Sequence, residues 1–179
     1  NLAGALELHH KALHIADSLA VGSENAERHS DLAFTLYKMG QIHERLDEFA
    51  EAVFFWRREL KTRVAMVLRS DDPSTVEGEV ASCHGQIGGA LESMGHFEAA
   101  REAFSQYLKL SQNVLDKDFE DPTKWRNVAV GQASVARAEL ALRNLDRAQD
   151  LHSQASAAFR ALADAKDVCS RVDLAATLA

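Results

Sequence analysis

Between Ser30 and Leu46 a recurring set runs through Leu32, Leu36, Met39, Gly40, His43 and Leu46. These three- and four-residue steps trace one stripe along an α-helix. After Asp47-Glu48 a second run begins at Phe49 and continues through Ala52, Trp56, Leu60 and Met66. It predicts another helix of about twenty residues, and so short a connection forces it back antiparallel to the first. The opening of this second run recurs along the chain as Leu2-x-x-Ala5, Phe49-x-x-Ala52, Phe97-x-x-Ala100 and Leu145-x-x-Ala148, at spacings of 47, 48 and 48 residues. Self-similarity at a fixed period of this length is the signature of stacked helix pairs, each burying its apolar face against the next.

The repeated small residue (Ala5, Ala52, Ala100, Ala148) permits close approach of the two helices in a pair, and Gly40, Gly88 and Ala136 occupy the facing position. Each such glycine costs about 1 kcal/mol of helix propensity relative to alanine, which argues that the approach matters. Trp56 and Phe104 supply the bulky core position, filled by His9 and His152 in the outer repeats. Leu13, Leu60 and Leu108 follow four residues later, with Ser156 as the exception, and Leu19, Met66, Val114 and Leu162 continue the stripe. Helix starts are predicted at Asp72-Pro73 and Asp121-Pro122, where a capping carboxylate precedes a proline whose missing N–H is harmless in a first turn. Ser23 and Asn25 are the candidate caps at the first joint. Of the three turns, only Gly95-His96 has a residue suited to a left-handed C-cap, so Asp47-Glu48 and Arg143-Asn144 are expected to be more mobile.

Composition agrees with an all-α class: two prolines and nine glycines in 179 residues are too few for many short strands. The longest apolar runs, Ala52 to Trp56 and Val64 to Leu68, fall far short of the ~20 residues that span a bilayer. A net charge of −7 opposes a nucleic-acid role. Cys83 and Cys169 lie in separate repeats without metal-type spacing and are read as reduced thiols, giving a cytoplasmic expectation. Asp31-Leu32-Ala33-Phe34-Thr35-Leu36 is echoed by Asp173-Leu174-Ala175-Ala176-Thr177-Leu178, so the chain opens within a second helix and closes within a first one. A fragment of a longer protein, or ends that pair with another copy, would account for that.

Segments such as Asn25-Ala26-Glu27-Arg28-His29-Ser30-Asp31-Leu32-Ala33 and Asp121-Pro122-Thr123-Lys124-Trp125-Arg126-Asn127-Val128-Ala129 resemble the linker and helix start of the tetratricopeptide repeats. The resemblance is to the long-period bacterial form of about 48 residues, not the common ~34. It implies one right-handed superhelical array of antiparallel helix pairs over residues 1–179, about eight helices in all. Its parts would be a second helix at 1–20, repeats at 24–69, 72–116 and 121–164, and a first helix at 167–179. Glu59 and Tyr107 depart from the family's small residue, and Glu139 from its aromatic. The resemblance also implies a concave groove lined by the first helices. Its groove positions map onto Phe34, Tyr37, Lys38, Gln41 and Arg45, then Ser82, Gly85, Gln86, Gly89 and Glu92, then Val130, Ala133, Ser134, Arg137 and Leu140. The Lys/Asn/Arg clamp that some relatives use for a terminal carboxylate is not reproduced, since Tyr37 and Gln41 stand at its leading positions. Phe34, Tyr37 and Arg137 are the strongest candidate anchors, aromatics and arginines being the residues that dominate interfaces.

Catalytic and metal motifs are weak by comparison. His10 and His14 have the four-residue spacing that lets two imidazoles meet one ion, but no third ligand stands near in sequence. His43-Glu44 begins like HExxH and then fails, with Asp47 in place of the second histidine. Gly85-x-x-Gly88-Gly89 follows no strand and falls within a helical pattern, unlike a phosphate loop. No cofactor, metal or catalytic residue is expected. The leading expectation is a noncatalytic scaffold that holds a protein or peptide in its groove, without nucleic acid or membrane. The alternatives are the regulatory arm of a larger bacterial signalling enzyme and a self-assembly module acting through its terminal helices.

Overall fold

In the computed structural model, residues 2–67 and 73–164 are described. They form seven helices and no strand: α1 Leu2–Ala20, α2 Ala26–Arg45, α3 Phe49–Val67, α4 Pro73–Ser93, α5 Phe97–Lys117, α6 Pro122–Ala141 and α7 Leu145–Asp164. The expected terminal helix at 167–179 and the capping role of Asp72 lie outside the described residues. Two compact units are present, one ending at His96 and holding α1–α4, the other beginning at Phe97 and holding α5–α7. Within each, the close packing is between helices adjacent in sequence.

In the first unit, Leu13, Ala16, Ala20, Leu32, Leu36, Met39 and Phe55 make one apolar cluster. Ala52 is fully buried, and the indole of Trp56 lies against Gly40 so closely that a Cβ there would sit 2.2 Å from its Nε1. The small-residue reading is therefore literal at this contact. The stripe reading fails at Leu19, which is 49% exposed near the end of α1, and at Leu46, which caps α2 and faces solvent. In the second unit Ala100, Phe104, Ala136, Ala148 and Ala155 are buried. Gly131 provides a second close approach, where an added Cβ would fall 3.0 Å from the Leu108 Cα.

Caps form where side chains can satisfy the free N–H groups of a helix start. Asn25 Oδ1 accepts from Glu27 N at 2.8 Å, and Ser23 Oγ accepts from Asn25 N at 3.1 Å. Asp121 Oδ1 accepts from Thr123 N at 2.8 Å, one residue beyond Pro122.

The three turns share one backbone arrangement, with or without glycine. Asp47 and Arg143 take positive φ (59° and 66°) just as Gly95 does (76°), and all three close the same pair of backbone bonds. Glu48 N reaches His43 O, His96 N reaches Leu91 O and Asn144 N reaches Glu139 O, each at 2.9 Å. Asp47, Gly95 and Arg143 N reach Glu44, Glu92 and Leu140 O. This is the Schellman arrangement, usually completed by an apolar contact between its first and last residues. Here two of the three contacts are polar: His43 Nδ1 pairs with Glu48 Oε2 and Asn144 Nδ2 donates to Glu139 Oε2, both at 2.6 Å. The side-chain bonds hold these turns in place of glycine.

Candidate partner-binding site

Four of the expected groove residues meet on one face of α2. The Phe34 and Tyr37 rings lie 6.4 Å apart, and the Lys38 ammonium stands over both, 5.3 and 5.0 Å from their centroids. Gln41 ties the group together, donating to the Tyr37 hydroxyl at 2.7 Å and accepting from Lys38 at 3.2 Å. Phe34 remains 55% exposed, a surplus of aromatic surface that the fold itself does not use.

Beside this cluster lies a cavity of about 290 Å³, lined by Phe34 and Tyr37 from α2, Glu59 and Arg63 from α3, and Glu79, Ser82 and Gln86 from α4. Glu59 is 2% exposed, and Arg63 Nε donates to its Oε1 at 2.7 Å while the Arg63 guanidinium also bonds Glu79. Burial raises the Glu59 carboxyl above its ordinary value, against the opposing pull of Arg63. Burial also pushes the neighbouring Cys83 thiol well up, so it stays protonated. Two acceptors at the cavity are buried and poorly satisfied: Gln86 Oε1 has no hydrogen-bond partner, and Glu59 Oε2 has only the weak Cys83 thiol beside its carboxyl group.

Arg45, at the exposed end of α2, and Arg137, on α6 in the second unit, are not among the residues lining this cavity. The Arg137 guanidinium lies 5.8 Å from the Phe104 ring centroid and borders an apolar cavity of about 380 Å³ with Ala133, Leu140, Leu145 and His152. Ser134, a mapped groove position, is buried instead of displayed. Glu139, where an aromatic was expected, is fully enclosed and held by Asn144, by Arg147 at 3.2 Å and by Arg101 at 3.9 Å. Sequence mapping singled out the rim of the first cavity but not its charged base of Glu59, Arg63 and Glu79. The available signal was the i, i+4 spacing of Glu59 and Arg63 inside an otherwise apolar stripe.

Among the described residues no three His, Cys, Asp or Glu side chains are grouped to hold a metal, and no helix is long and apolar enough to cross a membrane. His10 and His14 both face solvent. His43 is buried, its ring stacked on Phe55 at 5.1 Å, and Gly85, Gly88 and Gly89 lie inside α4.

Residues 81–114, from within α4 to within α5, match the family model of the tetratricopeptide repeat. This stretch is similar to a tetratricopeptide repeat. Its fold-level kin include the crystal structure of BtubC (BKLC) from P. vanneervenii, similar with a TM-score of 0.63 at 17% identity over 89% of this chain. The chain spans 57% of that protein's length. Comparison with curated proteins returns no match. Tetratricopeptide repeats generally mediate protein interactions and are generally noncatalytic.

Proposed function

We propose that the chain is a noncatalytic scaffold that holds a protein or peptide segment on the face of α2 and α4, with Phe34 and Tyr37 as its anchors. The observation that carries this reading is the exposed Phe34 ring, clustered with half-buried Tyr37, Lys38 and Gln41 at the mouth of a cavity whose buried acceptors are poorly satisfied. Aromatic surface next to unsatisfied polar groups is what a docking surface offers before its partner arrives. Arg137, beside the apolar cavity of the other unit, is a separate candidate contact, and Arg45, Lys38 and Gln86 add polar contacts around the first.

A photo-crosslinking residue placed at Phe34 is expected to trap a protein partner in extracts of the source cell. The same probe at Phe54, exposed on α3 outside this cavity, is expected not to. Combined Tyr37→Ala and Arg137→Ala should cut the yield while leaving helicity unchanged. Equal trapping from both sites, or by the double variant, refutes the assignment.

A second reading, self-association, has its own support: Leu8, Ile15 and Leu19 are exposed apolar residues of α1. Sedimentation over a wide concentration range tests it, and a strict monomer removes it.

A further inference from the structure

We propose that the cavity between α2, α3 and α4 is a receptor for a cationic side chain, a lysine or arginine of the partner, which enters between Phe34 and Tyr37 to reach Glu59. The inference rests on the scaffold reading above and names the chemistry its first contact recognises.

The charge of the lining sets the sign of the occupant. Glu59 and Glu79 share one guanidinium, that of Arg63, so the lining sets two acidic side chains against a single basic one, with Lys38 outside it over the aromatic rim. The open acceptors set its hydrogen-bonding type. Gln86 Oε1 is shielded from solvent and lacks a donor, and the buried Glu59 Oε2 is offered nothing stronger than the weak S–H donor of Cys83, a deficit that costs free energy until a better donor arrives. An ammonium carries three donors and a guanidinium five, with no acceptor to waste on the site. The volume sets the size: about 290 Å³ far exceeds the ~30 Å³ share of one water and admits a long side chain. The rim supplies the apolar path. Lys38 already shows that the Phe34 and Tyr37 rings attract an ammonium over their faces, and the same rings offer surface for the methylene stem of an incoming residue. An acidic ligand would meet Glu59 and Glu79, and a purely apolar one would leave both acceptors poorly satisfied.

The test is a nuclear magnetic resonance titration of the full chain with three end-blocked tripeptides, differing only in a central lysine, Nε-acetyl-lysine or glutamate. The lysine peptide is expected to shift the amide signals of Ser82 and Gln86 as well as Tyr37. The acetylated and acidic peptides should leave them in place. Glu59→Gln, which keeps an oxygen for Arg63, should weaken lysine binding about tenfold. Glu79→Gln, at the half-exposed edge and without risk to the core, should weaken it by a smaller factor. Binding of the acetylated or acidic peptide as tight as that of lysine overturns the proposal, as does full affinity in both variants. Absence of lysine binding with crosslinking from Phe34 intact removes the cation receptor and leaves the scaffold. Lysine binding without any crosslinked partner does the reverse.

Discussion

Gly40→Ala and Gly89→Ala are the same chemical change in neighbouring helices of one unit, yet the structure assigns them opposite signs. In a helix interior the change gains about 1 kcal/mol of propensity. At Gly89 nothing lies within 4 Å of the added carbon, so that gain stands alone. At Gly40 the carbon would fall 2.2, 2.5 and 2.6 Å from Trp56 Nε1, Cδ1 and Cε2, more than an ångström inside contact. Trp56 is 1% exposed and its ring is rigid, so relief requires α2 and α3 to separate or the indole to leave its well. Overpacking of this kind costs about 1–3 kcal/mol, and the upper end applies because three ring atoms are struck at once. Subtracting the propensity gain leaves a loss of about 2 kcal/mol. For a chain of this length that is a fall of about 4–8 °C in Tm, against a rise of about 2–4 °C for Gly89→Ala. Thermal unfolding followed by circular dichroism and calorimetry reads both. The Gly40→Ala penalty should also shrink in a Trp56→Phe background, a coupling expected only for touching groups. Stability at or above wild type for Gly40→Ala would refute the close contact and the helix register built on it.

Ala100 is fully buried, so Ala100→Leu should destabilise by about 1–3 kcal/mol in a chemical denaturation series. At the turns, Arg143→Gly should stabilise by up to about 1 kcal/mol, since left-handed backbone costs a bulky residue about 1–2 kcal/mol and glycine gives part of that back in entropy. Asp47→Gly should gain less, because aspartate tolerates that conformation better, and Gly95→Ala should lose stability in the same assay. Cys83 should resist alkylation in the native chain at mildly alkaline pH and react promptly in urea, because burial holds its thiol protonated. Mass spectrometry of the Cys83 peptide decides this, and fast native labelling would contradict the buried position.

Much of this fold could be read from periodicity because the stacking of helix pairs is itself periodic. Ala52, Trp56, Ala100 and Phe104 are buried at the phases the repeat assigns them, and Asn25 and Asp121 cap where their chemistry suggests. The shared turn geometry was not legible because only glycine was read as a left-handed cap, whereas Asp47 and Arg143 take the same backbone with the His43–Glu48 and Asn144–Glu139 bonds beside them. The candidate site was half legible. Phe34, Tyr37, Lys38 and Gln41 lie on one helix, so spacing alone puts them together. Glu59, Arg63 and Glu79 come from two other helices, and their union depends on how α3 packs on α4, which a one-dimensional pattern does not encode.

Packing between sequence neighbours also governs how the chain comes apart. When each helix is held mainly by its sequence neighbours within its own unit, contacts are local, closing them costs little loop entropy, and folding is expected to be fast and piecemeal. Within its unit helix α1 packs mainly on α2, with the Arg58–Asp17 pair and Phe55 tying it to α3, so its amides should exchange with solvent sooner than those of α2 and α3. The α2 helix that carries Phe34 and Tyr37 is packed on both α1 and α3, so a docked partner draws its support from a part of that unit that opens later than α1.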